Sequence, residues 1–584
     1  MTEKRVFHLV LIKPSHYDVN GYVIQWVRST MPANSLAILY GLALDCSKRK
    51  VLGEDVELRL QAFDETHDRI RPDKLAQMIH ESGGHGLVAL VGVQSNQFPR
   101  AMDLARRFRT QDIQVCIGGF HVSGCLSMLP GIPADLQEAM DLGISLFAGE
   151  LEGRFDSLLQ EAYRREMTPL HNFMDDLPGL EGSVIPFLPA DVIRRRTGAR
   201  TSFDAGRGCP FQCSFCTIIN VQGRKSRRRS ADDVEHIIRI NAEQGVTNFF
   251  ISDDNFARNR DWEVVLDRVI RLKEEEGMPI RLLIQVDTLC HKIKNFVEKC
   301  GRAGVDRVFI GLENINRESL VGAKKLQNRI SEYRIMLQAW HSVGAVTYAG
   351  YILGFPIDTP ESIRRDIGII QRELPIDMLE FFILTPLPGS KDHQTLFSEG
   401  VEMDPDMNKY DVTQVTTAHA RMSKEEWQNV YYSAWDWYYT PDHAETIMRR
   451  SIEWGMDPKK MLLKLLNFYA TPKIEGVHPL EGGIFRKKYR KDRRPTLPRE
   501  NPFTFYARYG WEILSKHAQY LIIGFSYYRR LRRVRKGISG VGEVDIAMVP
   551  TSEEDEESLE ILNLNLPAAN APPGVEPAVE VAAE

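Results

Sequence analysis

The sequence predicts an α/β protein: a doubly wound, Rossmann-like parallel sheet, then a partial (βα)6 barrel, then a mostly helical region that ends in a disordered acidic tail. Three observations carry that expectation. Short apolar runs alternate with amphipathic segments from Arg5 to about Leu384, the pattern of strand–helix units around sheets buried on both faces. A Pro- and Gly-containing stretch near residues 165–200 interrupts the alternation. Beyond about residue 400 the strand signals stop, and aromatic, helix-compatible sequence takes over. These breaks divide the chain at 1–160, a linker at 161–199, 200–398, 399–540 and the tail at 541–584.

A chain of 584 residues is too long for one hydrophobic core. Its 43% hydrophobic and 26% charged residues are ordinary for a globular protein. A net charge of −5 argues against a general nucleic-acid partner. Residues 1–30 carry no signal-peptide pattern, and no long apolar run suggests a membrane span. Eight cysteines without disulfide-like density fit a reducing, cytoplasmic compartment.

The first strand reads RVFHLVLI over residues 5–12 and feeds the polar loop KPSHYDVNGY. A second strand over Val56–Phe63 stops at Asp64, and Lys74–His80 has helical character. Residues 86–93, GLVALVGV, form another uninterrupted apolar strand. Ala101–Arg109 is helical, Gln114–Ile117 leads into Gly118-Gly119-Phe120-His121, and Ile144–Ala148 ends at Gly149-Glu150. Ligands of such sheets sit beyond the carboxyl ends of the strands. Gly118 and Gly119, lacking Cβ atoms, either let backbone approach a ligand closely or simply make a tight turn.

Thr201–Ala205 opens a second series of strands. Asn248–Ser252 ends in Asp253-Asp254, Arg281–Gln285 in Val286-Asp287, and Arg307–Ile310 in Gly311-Leu312-Glu313. Val346–Leu353 and Met378–Leu384 complete the set. Six such units make an incomplete barrel, and barrels gather functional side chains at the carboxyl ends of their strands. Directly after the first strand stands Arg207-Gly208-Cys209-Pro210-Phe211-Gln212-Cys213-Ser214-Phe215-Cys216. Three thiolates spaced CxxxCxxC can converge on one small metal cluster. A [4Fe–4S] cluster normally takes four Cys ligands, so three in one loop would leave one iron open. Zinc competes, but it usually wants a fourth ligand, and no Cys or His stands nearby at zinc spacing. A disulfide framework suits a long chain poorly, and a chance grouping of core cysteines is the remaining alternative.

With an aromatic residue, Phe215, before the last cysteine, the motif resembles that of the radical S-adenosylmethionine (SAM) superfamily. The resemblance implies that Cys209, Cys213 and Cys216 hold a [4Fe–4S] cluster whose open iron chelates the amino and carboxylate groups of SAM. Reduction of the cluster then cleaves SAM to a 5′-deoxyadenosyl radical. An RxRS-type segment, matched by Arg227, Arg229 and Ser230, helps hold the SAM carboxylate in that family, and a guanidinium offers it two parallel donors. Ser230-Ala231-Asp232-Asp233 is also a capping-box-like start to a helix at Val234–Gln244. Asp253, Asp254, Gln285, Asp287 and Glu313 stand where such enzymes bond the SAM amino group and ribose, with ordinary loop capping as the alternative.

Upstream, residues 1 to about 150 resemble the cobalamin-binding domain of the cobalamin-dependent class, through the strand layout and the turns holding Gly118, Gly119, His121, Gly149 and Glu150. One departure stands out. Domains that replace the lower axial ligand of cobalt carry DxHxxG after the first strand, whereas Pro14-Ser15-His16-Tyr17-Asp18-Val19 keeps only the His. His16 is therefore a candidate cobalt ligand, and a plain loop histidine is the preferred reading because no carboxylate orients it.

The resemblance thus implies an enzyme with three cofactors, a [4Fe–4S] cluster, SAM and cobalamin, and with a reductant such as flavodoxin or ferredoxin as partner. A methyltransferase acting on an unactivated carbon is the leading reading. A radical cyclase or rearrangement enzyme and a non-enzymatic cluster- or cobalamin-responsive regulator are the alternatives, and no catalytic residue is assigned. Methylthiolation of tRNA fits less well, because the N-terminal part lacks its own Cys trio. The aromatic run from Trp427 to Trp454 reads as core packing before it reads as the wall of an apolar pocket. Residues 511–536 join Tyr520–Phe525 to Arg529, Arg530, Arg532, Arg533, Arg535 and Lys536. That combination suits peripheral membrane contact and a small-molecule or lipid-like substrate, or a docked helix with a solvated basic end. No Lys or Arg follows, and SEEDEE begins the acidic tail.

Overall fold

A computed structural model describes residues 5–537, 544–549 and 559–564. Its N-terminal strands are β1 (Arg5–Lys13), β2 (Gln25–Ser29), β3 (Val56–Asp64), β4 (Gly86–Leu90), β5 (Gln114–Gly118), β6 (Ser145–Ala148) and β7 (Leu170–Asn172). Six of them form a parallel sheet in the order β3-β1-β4-β5-β6-β7. The apolar run of β1 is explained by burial on both sides: Val10 and Ile12 enter one core, Phe7, Leu9 and Leu11 another. Winding reverses between β1 and β4, and a crevice for ligands opens at such a reversal.

Three elements here escape the sequence reading. The helix Asn34–Arg49 begins at Ala33 with no side-chain cap, so it carries no start signal. The edge strand β7 spans 3 residues inside the predicted linker. The strand β2 is short, and its partner lies far away in the chain.

Next come β8 (Arg200–Phe203), β9 (Gly206–Arg207), β10 (Arg227–Arg228), β11 (Asn248–Ile251), β12 (Arg281–Val286), β13 (Val305–Glu313), β14 (Val346–Leu353) and β15 (Met378–Ile383). Six of these pair in parallel in the order β15-β14-β13-β12-β11-β8, the predicted open barrel. The ribbon of β9 and β10 is antiparallel and closes the base of the cysteine loop.

The C-terminal region packs helices Lys424–Tyr438, Pro441–Glu453 and Pro458–Ala470 beside a 34-residue helix, Pro502–Arg535. Trp427, Trp435, Tyr438 and Tyr439 are buried in the barrel's outer core, so these members of the aromatic run are packing residues. The strand β16 (Gly483–Lys487) returns to pair antiparallel with β2. Part of the predicted disordered tail is instead packed. Asp545 pairs with Arg449 and Arg450, and Ala547 and Ile561 are buried. Residues 541–543, 550–558 and 565–584 lie outside the described residues.

Candidate active site

The cysteine loop leaves the barrel at the carboxyl end of β8. Gly208 has φ +93, and a Cβ there would stand 2.6 Å from the carbonyl oxygen of Lys225. Only glycine turns the chain there without strain. The N–H of Cys209 donates to Gly223 O at 3.2 Å, that of Cys216 to Cys213 O at 3.2 Å, and that of Ser214 to Ala323 O at 3.0 Å. Gln327 Nε2 lies 3.5 Å from Cys213 Sγ. Lys325, buried and paired with Glu313, sits 5.7 Å from the Phe215 ring. Burial, with neighbouring thiols adding to it, pushes the thiol of Cys209 up to about 11 and that of Cys216 up to about 12.

This donor set fits an iron–sulfur cluster. The three cysteines stand on one loop, whose turn is closed by the Cys216 N–H to Cys213 O bond. Three sulfur donors with no imidazole among them suit iron–sulfur chemistry, and loading would release the protons that burial holds on the thiols.

The polar residues at the strand ends are already engaged. Asp253 Oδ1 accepts the N–H groups of Ala205 (2.7 Å) and Gly206 (2.9 Å), its Oδ2 accepts Asn259 Nδ2 at 3.0 Å, and burial pushes its pKa up to about 7. Asp287 is clamped by Arg258 at 2.6 and 2.8 Å and by Asn255 at 3.0 Å. Asp254, also pushed by burial up to about 7, accepts the N–H of Gly208 at 3.1 Å. Gln285 Nε2 lies 3.5 Å from Asp253 O.

The basic segment divides its labour. Arg227 donates to both oxygens of Glu150, at 2.5 and 2.7 Å. Arg229 is wholly buried and donates to Asp204 O at 3.0 Å and Ser183 Oγ at 2.9 Å. Ser230 Oγ accepts the N–H of Asp233 at 3.1 Å, the helix cap foreseen in the sequence. All three line a separate cavity of about 480 Å³ beside Gly179 and Asp261, and Arg227 also reaches the wall of another through Glu150.

Around the first sheet, Gly118, Gly119, Gly149 and Glu150 all line one cavity of about 290 Å³. It lies between the sheet face and the helices Asn34–Arg49 and Phe155–Arg164, and it reaches Arg207 and Asp254 of the barrel. Gly119 has φ +148, and a Cβ there would meet Val93 N at 2.1 Å. His121, by contrast, turns inward. It is fully buried between Ser95 Oγ (3.1 Å) and Asp135 Oδ2 (2.9 Å) and lines none of the cavity. His16 Nε2 is held at 3.0 Å by Glu481 Oε2, and its Nδ1 is buried without a partner. A carboxylate does orient this histidine, but it comes from the far end of the chain. His16 lines a second cavity, of about 490 Å³, without presenting a free nitrogen to it. That chamber is walled by Lys13 and Gln94–Gln97 of the first unit, by Thr217 and Ile218 just past the last cysteine, and by Phe382.

Sequence reasoning missed Glu152, Asp204, Lys325 and Glu481. Glu152 and Asp204 hold Arg207 at 2.5 and 2.8 Å. The only local signal for them was their closeness in sequence to Glu150 and to the cysteine loop.

Comparison with known proteins places these features. Residues 204–368 match the model of the Radical SAM superfamily. Bacteriochlorophyllide d C-8(2)-methyltransferase of Chlorobaculum tepidum is 24% identical over 343 residues, 55% of this chain and 71% of that protein. Hopanoid C-2 methylase of Rhodopseudomonas palustris is 24% identical over 292 residues, 49% of this chain and 53% of that one. The cobalamin-dependent SAM radical enzyme OxsB, solved with aqua-cobalamin bound, superposes with a TM-score of 0.51 at 14% identity, covering 94% of this chain and 82% of that chain. Sequence match and cysteine loop therefore agree: residues 204–368 are a radical SAM domain, set within a fold that OxsB shares along most of its length.

Proposed function

We propose that the chain is a cobalamin-dependent radical SAM enzyme that transfers a methyl group to an unactivated carbon of a hydrophobic, lipid-like molecule. One observation carries this reading. The 490 Å³ chamber is walled jointly by the carboxyl edge of the first sheet and by residues directly following the cysteine loop, so two cofactors held by the two units would face one substrate. Methyltransferases among the relatives support the reaction class. When bound, the cluster, SAM and cobalamin supply the electron, radical and methyl chemistry.

The chain's own residues have simpler tasks. Cys209, Cys213 and Cys216 would hold the cluster, and Asp254 stands beside them to receive part of SAM. Gly118, Gly119 and Gly149 open the space in which part of the cobalamin would lie. Phe382, Leu387 and Tyr410 line the chamber and exclude water. Cleavage consumes an electron, so a reductant of the flavodoxin or ferredoxin type is the expected protein partner. The apolar part of the chamber wall and the exposed apolar side chains of the C-terminal helix support work at a membrane surface.

Anaerobic reconstitution should give about four Fe per chain with visible cluster absorption, and Cys213→Ala should lose that absorption. An unchanged spectrum in the variant would overturn the cluster assignment. With SAM labelled in its methyl group and the true substrate, label should appear in product alongside S-adenosylhomocysteine and 5′-deoxyadenosine. Deoxyadenosine without labelled product would replace methyl transfer by a radical rearrangement.

A further inference from the structure

The helix Pro502–Arg535 presents two faces. Phe505, Tyr527, Leu531 and Val534 are buried against the protein. The other face is apolar and open to solvent: Phe503 is 84% exposed, Trp511 72%, Leu514 67%, Leu521 74%, Ile522 69% and Phe525 64%. At 3.6 residues per turn these side chains fall within roughly 160° of arc, together with exposed Tyr506 and Tyr528. From Phe503 to Tyr528 that arc carries no Lys, Arg, Asp or Glu. A stripe of this length is far from the scattered exposure normal for a surface. The last two turns and the C-cap then gather exposed Arg529, Arg532, Arg533, Arg535 and Lys536. Among the described residues no helix is long and apolar enough to cross a membrane.

We propose that this face docks on an anionic bilayer, with the helix lying in the interface plane. The amphipathic division matches the physics of interfacial helices: Trp, Tyr and Phe at headgroup depth, aliphatic side chains just below, and cations drawn to the acidic lipid. The surroundings of the helix deepen the lipid-substrate reading given above, on which this last point rests. A groove of about 270 Å³ runs beside it, lined by Trp26, Ile484, Phe485, Ile513 and Tyr520. The β2–β16 ribbon forms its floor, and Ile24, Ser29 and Gly482, at the ends of the same ribbon, line the 490 Å³ chamber. An apolar tail leaving the bilayer would thus meet the groove first and the chamber next.

The test is flotation of the full, reconstituted chain with vesicles of phosphatidylcholine, with and without phosphatidylglycerol. The chain should float with the anionic vesicles, less so as salt rises. Leu521→Asp with Phe525→Asp should cut the bound fraction by about tenfold or more, and Arg532→Glu with Arg535→Glu should remove the dependence on phosphatidylglycerol. Reductive cleavage of SAM, measured without lipid, should be equal in parent and variants and shows that they are folded. The proposal is overturned if the parent stays at the bottom of the gradient, or if the aspartate variant floats as the parent does. It is likewise overturned if size exclusion shows a dimer that the aspartate variant splits, since the face then belongs to a second copy. Flotation without SAM cleavage in the parent would leave docking standing and remove the radical SAM reading instead.

Discussion

Asp358 shows what burial does to a single carboxyl group here. It accepts the N–H groups of Gly354 and Phe355, each at 2.9 Å, while only 5% exposed. Burial is the larger effect and pushes its pKa up to about 7, from an ordinary value near 4. The folded chain therefore keeps this proton longer than the unfolded chain does. Its contribution to stability is complete below about pH 4 and is lost as pH rises through about 7. Asp358→Asn keeps an accepting oxygen and removes the charge. In urea unfolding the variant should match the parent near about pH 4 and exceed it by a few kcal/mol near about pH 8. An offset that is the same at both values would show that the carboxyl does not titrate in this range. At this scale the position of the cysteine loop, just past the carboxyl end of β8, was legible, because spacing and the preceding apolar run are local signals. Asp253, Arg229 and His121 were named, but the hydrogen bonds that hold them were not legible. Their partners Ala205, Ser183 and Asp135 are chosen by the fold, and no neighbouring residue in the sequence announces them.

Elements were legible where burial and capping act locally. The strand β14 is buried along its whole length and was read from end to end, because an uninterrupted apolar run has few other uses. The helix Ala231–Glu243 was read from its cap, and the cap is present: Ser230 and Asp233 bond reciprocally at 2.9 and 3.1 Å. Elements without such marks were missed, as β2 and β16 show, since neither is apolar enough to declare a partner more than 450 residues away. The capping geometry also separates two roles for Ser230. Ser230→Ala should lower stability by about 1 kcal/mol, as loss of an N-cap does, and leave the affinity for SAM unchanged. A tenfold weaker SAM affinity at unchanged thermal midpoint would instead give the hydroxyl to the ligand.

The whole molecule is held together at the site itself. Glu150, at the turn after β6, reaches across to Arg207 beside the cysteine loop and to Arg227 on the facing ribbon. Glu152 and Asp204 complete the cluster, and all five side chains are largely withdrawn from water. Arg196 with Asp64, both fully buried, ties the linker to β3 as well. Removing one partner of a buried ion pair is costly because the other charge stays behind without water or compensation. Arg207 would retain Glu152 and Asp204 after Glu150→Ala, but Arg227 would retain only the carbonyl oxygens of Pro178 and Gln222. Urea unfolding of the reconstituted protein should therefore show a loss of about 3 kcal/mol. Because Arg207 adjoins the loop that would carry the cluster, the variant should also lose iron faster to a chelator than the parent does. Unchanged unfolding together with unchanged iron release would mean that the two units are joined chiefly by their apolar contacts and the β2–β16 ribbon, and that Glu150 only neutralises charge.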